Sequence, residues 1–310
     1  LTLILVAILG GCSSLPEGID HPAEPYTSYG PSTLSVLADE YQPQASDQAT
    51  TAVRLQESGW DALAQRLALV ESAEHTIDIQ YYIWNSDESG SYLASRLLAA
   101  AERGVKVRVM LDDINLNERE GLLSALDVHP NVEIRIFNPT PTRRGFSKWL
   151  SFVGDFSRLN RRIHNKSFTV DGTLSVVGGR NIGDEYFDLS DEINFRDRDV
   201  LVMGSVVNTI QTSFVEYWNS RWSYPVDMLG DDEQPDLSTI DDITVPQYKN
   251  YPELPLNREA ADSLLKEVLD EMTWVNARFA YDRPVPIDSD NTDQPKATAV
   301  LLGQLASESK

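Results

Sequence analysis

Cysteine, histidine and positive charge are all scarce in this chain of 310 residues, which holds one cysteine, four histidines and 26 basic side chains against 48 acidic ones. A lone cysteine excludes a disulfide and a cysteine-ligated zinc within a monomer. The net charge of −22 repels a polyanion over most of the surface. Nucleic acid is therefore disfavoured as a partner of the molecule as a whole, with room only for a local basic groove. Long apolar runs are missing as well, since the stretch from Leu1 to Leu9 is too short to span a bilayer. The length suffices to bury one large core or two smaller ones.

That apolar stretch ends at Gly10-Gly-Cys12-Ser-Ser, which reads as the hydrophobic region and cleavage site of a bacterial lipoprotein signal. Cys12 is then the lipidated first residue of the mature protein, and Ser13 after it favours the outer membrane. The alternative is a buried apolar segment with an incidental cysteine. The chain opens on Leu with neither Met nor basic residues ahead of the apolar stretch, so its natural start is expected upstream. After this signal segment, residues 1–12, comes a Pro-, Ser-, Gln- and Thr-rich stretch, residues 13–50, expected to be a flexible tether.

Residues 51–225 carry the pattern of a folded domain. Trp60, Leu63, Leu67 and Val70 recur at helical spacing, and the strand-like run Thr76 to Trp84 follows. Helices are expected over about 89–103, 118–127 and 205–221. Strands are expected at Val105–Leu111, Val132–Phe137, Ser167–Val170, Leu174–Val177 and Asp197–Gly204. Strands alternating with amphipathic helices argue for an α/β sheet with helices packed on it. Residues 226–256 read as an acidic, proline-containing linker, with seven acids and no base between Asp227 and Asp242. Residues 257–310 resume helical order, and Thr298 to Lys310 resembles the helix before the first strand of the sheet, as a truncated second repeat would.

The chemistry lies in Arg162-Ile-His-Asn-Lys-Ser-Phe-Thr-Val-Asp171, followed by Gly178-Gly-Arg-Asn181. In a strand alternate side chains share a face, so His164 and Lys166 point the same way. Gly178 and Gly179 would allow close backbone approach to an anion. An imidazole beside an ammonium and an amide makes a phosphate site with a built-in nucleophile and needs neither metal nor cofactor.

The spacing H-x-K-x4-D-x6-G-G-x-N resembles the phospholipase D superfamily. The runs Asp78 to Trp84, His129 to Asn138 and Gly178 to Phe187 are similar to its bacterial cardiolipin synthase branch. The resemblance implies a mixed β-sheet flanked by helices on both faces, the first of two such repeats. It also implies that catalysis proceeds through a phosphohistidine. His164 would be the nucleophile or its acid partner, Lys166 and Asn181 would bind phosphoryl oxygens, Gly178 and Gly179 would line the pocket, and Asp171 would orient a group or fix a loop. Asp197 stands where family members often carry a carboxylate that steadies a histidine.

A departing alkoxide needs an acid on the far side of phosphorus. In the superfamily that acid belongs to a second motif, and this sequence holds one motif only; His21, His75 and His129 have no lysine two residues on. Either a C-terminal repeat is missing or two chains pair through their motifs. A monomer of this chain alone is then expected to be inactive. The expected reaction is cardiolipin synthesis from phosphatidylglycerol and a second phospholipid at a membrane surface. Hydrolytic phospholipase D activity is the alternative, and a phosphodiesterase or nuclease is a further one, disfavoured by the acidic surface.

One stretch breaks the acidic pattern. Residues 143–166 hold seven basic side chains and one acid, a local charge of +6, with Phe146, Trp149, Leu150, Val153 and Phe156 at helical spacing. It is either a core-packed helix with a solvated basic face or an interfacial helix facing anionic headgroups. If it is interfacial, replacing Arg143, Arg144, Lys148, Arg158 and Arg161 with glutamine weakens cosedimentation with anionic vesicles. Unchanged binding would leave the core-packed reading.

Overall fold

The computed structural model describes residues 18–22, 24, 29–43, 50–113, 120–139, 162–229, 243–247, 252–284 and 297–308. Cys12, and the basic stretch up to residue 161, lie outside them.

Among the described residues nine strands form one mixed sheet: β1 (Thr51–Gln56), β2 (Thr76–Tyr81), β3 (Lys106–Asp112), β4 (Val132–Phe137), β5 (Ser167–Val170), β6 (Leu174–Gly178), β7 (Asp199–Gly204), β8 (Ser223–Pro225) and β9 (Thr273–Val275). Their order is β8-β4-β3-β2-β5-β6-β7-β1-β9. The β2–β3 and β3–β4 pairs are parallel, and every other neighbour is antiparallel. Parallel neighbours require crossovers, which the helices α3 (Glu88–Glu102) and α4 (Glu120–Asp127) supply.

Helices cover both faces because buried side chains alternate along the strands. Val107, Val109 and Leu111 of β3 and Leu201 and Met203 of β7 share one apolar cluster with α2 (Gly59–Ser72), α3, α4 and α6 (Arg258–Asp270). On the other face Met110 packs with Phe214, Tyr217 and Trp218 of α5 (Val206–Trp218), and Val202 packs with Val206, Val207 and Ile210. This second face also holds buried charge. Arg108 grips Asp78 with two hydrogen bonds of 2.8 Å and lies over the Phe214 ring, while Arg135 sits 4.1 Å from the Trp218 ring centroid.

The expected elements are present with shifts of a few residues at their ends, and the sheet is mixed with helices on both faces. Three differences stand out. The stretch expected as a tether carries a helix, α1 (Thr33–Glu40), closed at its start by a reciprocal Ser32–Ser35 capping box and burying Leu34 and Ala38 in the core. Upstream, the Gly18 N–H donates to the Tyr224 hydroxyl and the Ile19 N–H to the Arg221 carbonyl, so residues near 20 also lie on the domain. Residues 258–275, expected to begin a second repeat, are joined to the first: α6 packs in the core with α2, and β9 pairs with β1. Last, β1 has no counterpart among the sequence expectations. Its partner β7 is about 150 residues away, so nothing local announces it.

A buried ion network ties these parts together. Asp199, at the start of β7 and fully buried, accepts from Arg66 Nη2 of α2 at 2.7 Å and from the backbone N–H of Arg180 at 3.1 Å. Arg66 also donates to the Tyr81 hydroxyl at 3.0 Å, and Arg180 donates to the carbonyls of Gln56 and Glu57. Removing the acid would strand two guanidinium groups away from water. Asp199→Ala is therefore expected to lower stability by about 3–5 kcal/mol in urea denaturation; a loss under about 1 kcal/mol would show the network to be dispensable.

Candidate active site

His164 and Lys166 sit where β5 begins, beside the carboxyl ends of the parallel strands β2 and β3. Ligand sites in α/β sheets concentrate at such carboxyl ends. The run 162–166 alternates as an extended chain should. Ile163 is buried among Met110, Phe137, Phe214 and Trp218, and Asn165 Nδ2 reaches the Ser213 hydroxyl and the Asp282 carbonyl. His164 and Lys166 therefore face the other way and share a side, as expected.

Asp112, at the end of β3, holds this run in place. Its Oδ1 accepts from Arg162 Nη1 at 2.9 Å, and its Oδ2 accepts from the Ile163 N–H at 3.1 Å. The next residue, His164, is exposed and stacks on Tyr82 with ring centroids 4.8 Å apart and planes 23° apart. Its Nδ1 lies 3.3 Å from the Arg162 carbonyl oxygen. A carbonyl can only accept, so the contact is a hydrogen bond when Nδ1 carries a proton, and the neutral tautomer that makes it keeps the lone pair on Nε2.

Lys166 Nζ donates to the His164 carbonyl at 3.2 Å and lies 5.8 Å from the Tyr82 ring centroid. Burial pulls its ammonium below the ordinary lysine range, and the charges of Asp197 and Asp199 oppose that shift. The result is a partly desolvated cation held at the backbone of His164, an arrangement able to hold an oxyanion.

Asn181 is joined to the segment after β2 that carries Tyr82, and no described contact joins it to His164 or Lys166. Its Oδ1 accepts from the Ile83 N–H at 3.1 Å, and Ile182 next to it pairs with the chain at Ile83 to Asn85. That bond fixes which end of the amide is oxygen and leaves Nδ2 as the group able to donate to a substrate oxygen.

Two expectations need correction. Gly178 and Gly179 were expected to admit an anion, but the space beside them holds the start of β7. A Cβ on Gly178 would stand 2.1 Å from Asp199 Oδ1, and one on Gly179 would stand 2.9 Å from Asp197 Oδ1. The glycines thus admit two carboxylates of the same chain, which brings Asp197 close enough to act on Lys166. No described contact joins Asp197 to His164.

Asp171 is not at the site at all. It follows β5 at the opposite end of that strand, about 16 Å from Lys166 at 3.3 Å per strand residue. Its carboxylate accepts the backbone N–H groups of Glu74, His75 and Thr76 at 2.8–3.0 Å, which anchors the start of β2. Its own backbone is left-handed, with φ of 49°. Of the two roles the sequence allows it, the structure supports the loop-fixing one.

Tyr82, Asp112 and Arg162 escaped the sequence reading. Asp112 had a signal, since it is an acid directly after an apolar strand at a carboxyl end of the sheet. Tyr82 had none, because its value comes from a ring about 80 residues further along.

Residues 67–218 match the family described as "Cardiolipin synthase, PLD-like domain". Fold and site together define a phospholipase D-like domain. Within that class, the chain is 42% identical over 234 residues to cardiolipin synthase C of Escherichia coli (strain K12), covering 74% of this chain and 49% of that protein. It is 35% identical over 176 residues to cardiolipin synthase 1 of Bacillus anthracis, covering 56% and 32%. An uncharacterized protein of Helicobacter pylori (strain J99) is 33% identical over 301 residues, covering 93% and 58%. Residues 67–218 are thus a phospholipase D-like domain of the cardiolipin synthase kind, and the chain spans about half the length of cardiolipin synthase C.

Asp171→Ala separates anchoring from chemistry. Loss of three charge-assisted backbone bonds is expected to lower stability by about 2–4 kcal/mol in urea denaturation. In the complete protein the turnover of the folded fraction should stay within about threefold of the parent; a collapse of turnover without loss of stability would return Asp171 to the catalytic set.

Proposed function

We propose that the complete protein is a phosphatidyltransferase that makes cardiolipin from phosphatidylglycerol and a second phospholipid. The observation that carries this reading is the placement of an exposed His164, with Nδ1 turned to the Arg162 carbonyl and the Lys166 ammonium on its backbone carbonyl, in a chain whose residues 67–218 match the cardiolipin synthase domain.

Nε2 attacks the phosphorus of the donor lipid, the bond to its departing alcohol breaks, and a phosphatidyl group is left on the imidazole. Lys166 and the Asn181 amide neutralise the phosphoryl oxygens as their charge grows. The departing oxygen takes a proton from the histidine of a second H-x-K motif. A further repeat of the same polypeptide supplies that motif, or less favourably another subunit does. The acceptor lipid's hydroxyl then displaces His164 by the reverse route. A dry site favours this acceptor over water, so transfer prevails over hydrolysis.

Phospholipid substrates place the protein at a bacterial membrane, and its relatives' printed names fit that setting. No helix among the described residues is long and apolar enough to cross one. Lipidation at Cys12 is the proposed attachment, with the outer membrane as the favoured address.

The test is the complete protein given phosphatidylglycerol vesicles. Diphosphatidylglycerol is the expected product, and phosphatidic acid alone would instead mark a hydrolase. His164→Ala should abolish both products, since neither a covalent intermediate nor its equivalent acid step could form. Retained turnover in that variant would refute the assignment.

A further inference from the structure

We propose that Tyr82 is a positioning residue for His164, acting through its ring face rather than its hydroxyl. The inference rests on the reading of His164 as the attacking group. His164 is exposed, and among the described residues the one polar contact of its ring, Nδ1 to the Arg162 carbonyl, is long at 3.3 Å. A single bond at one ring nitrogen leaves the imidazole free to rock about that contact. Stacking on Tyr82 at 4.8 Å fixes the plane that the contact leaves open, and so fixes the direction of the Nε2 lone pair.

Tyr82 can serve as a platform because it is itself held on both sides. Tyr81 before it is buried in β2, with its hydroxyl bonded to Arg66. Ile83 after it is bonded through its N–H to Asn181 Oδ1 and through its carbonyl to the Ile182 N–H. The residue assigned to phosphoryl binding thus also locks the segment that holds the nucleophile's ring.

The face has an electrostatic role as well. When Nε2 bonds to phosphorus, the electron pair of the broken P–O bond leaves with the alcohol oxygen, which is protonated by the second motif's histidine. The imidazole then carries phosphorus on Nε2 and hydrogen on Nδ1, so its ring becomes cationic. The negative face of an aromatic ring favours that cation over the neutral ring that preceded it, and this differential contact lowers the barrier. Lys166 Nζ lies 5.8 Å from the same ring centroid, so one face serves both groups. Burial, with Asp112 nearby, pushes the Tyr82 hydroxyl above the ordinary tyrosine value, so it stays protonated and uncharged at neutral pH.

Two measurements test this. In NMR spectra of this chain, the His164 ring protons should carry the shielding of a stacked neighbour. Tyr82→Phe should keep that shift and Tyr82→Leu should lose it, whatever the activity. In the complete protein, Tyr82→Leu should lower kcat about 10- to 100-fold with KM within about twofold, and Tyr82→Phe should stay within about threefold of the parent. Should the leucine variant fail to fold, Tyr82→Met is read in its place. An unmoved His164 shift in the leucine variant overturns the proposal, as does a phenylalanine variant as impaired as the leucine one. His164→Ala in the same preparation keeps the two readings apart. Activity surviving that change defeats the proposed function, whereas a dead His164→Ala beside a fully active Tyr82→Leu defeats only the role of Tyr82.

Discussion

Asp199 is the point on which the rest of the architecture turns. A carboxylate without solvent contact is tolerated only when opposite charges and N–H groups replace the lost water, and here Arg66 and the backbone of Arg180 do so. Those partners come from a helix on one face and from the loop after β6. Their remaining donors reach Tyr81, Gln56 and Glu57, so the network spans β1, β2, β7 and α2 at once. It also sets the position of Arg180, the residue between the paired glycines and Asn181. The site is thus built from a structural ion cluster outward: Asp199 places Arg180, Asn181 follows it in the chain, and Asn181 fixes the turn after β2.

From that turn the constraint passes to His164. Ile83 is bonded to Asn181, Tyr82 precedes it, and the His164 ring lies on Tyr82. A second support arrives from β3, where Asp112 grips Arg162 and Ile163. Two independent anchors, one on the backbone before the histidine and one on its ring, hold a side chain that is otherwise exposed. Under the proposed function an exposed His164 is within reach of a lipid headgroup, and rigid neighbours replace the packing that burial would have supplied.

Much of this was legible in the residues. Strands such as Val132–Phe137 and helices such as α3 announce themselves through local periodicity, because burial of one face imposes it. His164 and Lys166 were legible for the same reason: they belong to one extended run, where a spacing of two means a shared side. Asp171 misled as a catalytic candidate because proximity in the chain is not proximity in space along a strand. Four strand residues carry it to the far end of the strand, where it anchors Glu74 to Thr76. The glycines misled for a related reason. Small residues permit close approach, but what approaches is decided by the fold, and here it is β7.

The sequence by itself determined the class of fold, the superfamily and the shared side of His164 and Lys166, since each depends on spacings within a few turns of chain. Only tertiary structure decided which groups aim and support that pair. Tyr82 meets His164, Asp112 meets Arg162 and Ile83 meets Asn181 across gaps of about 50 to 100 residues, which no local pattern encodes. The α1 segment and β1 belong with them, because a short element becomes helix or strand here through the surface it finds to pack on, and that surface exists only after the sheet has formed.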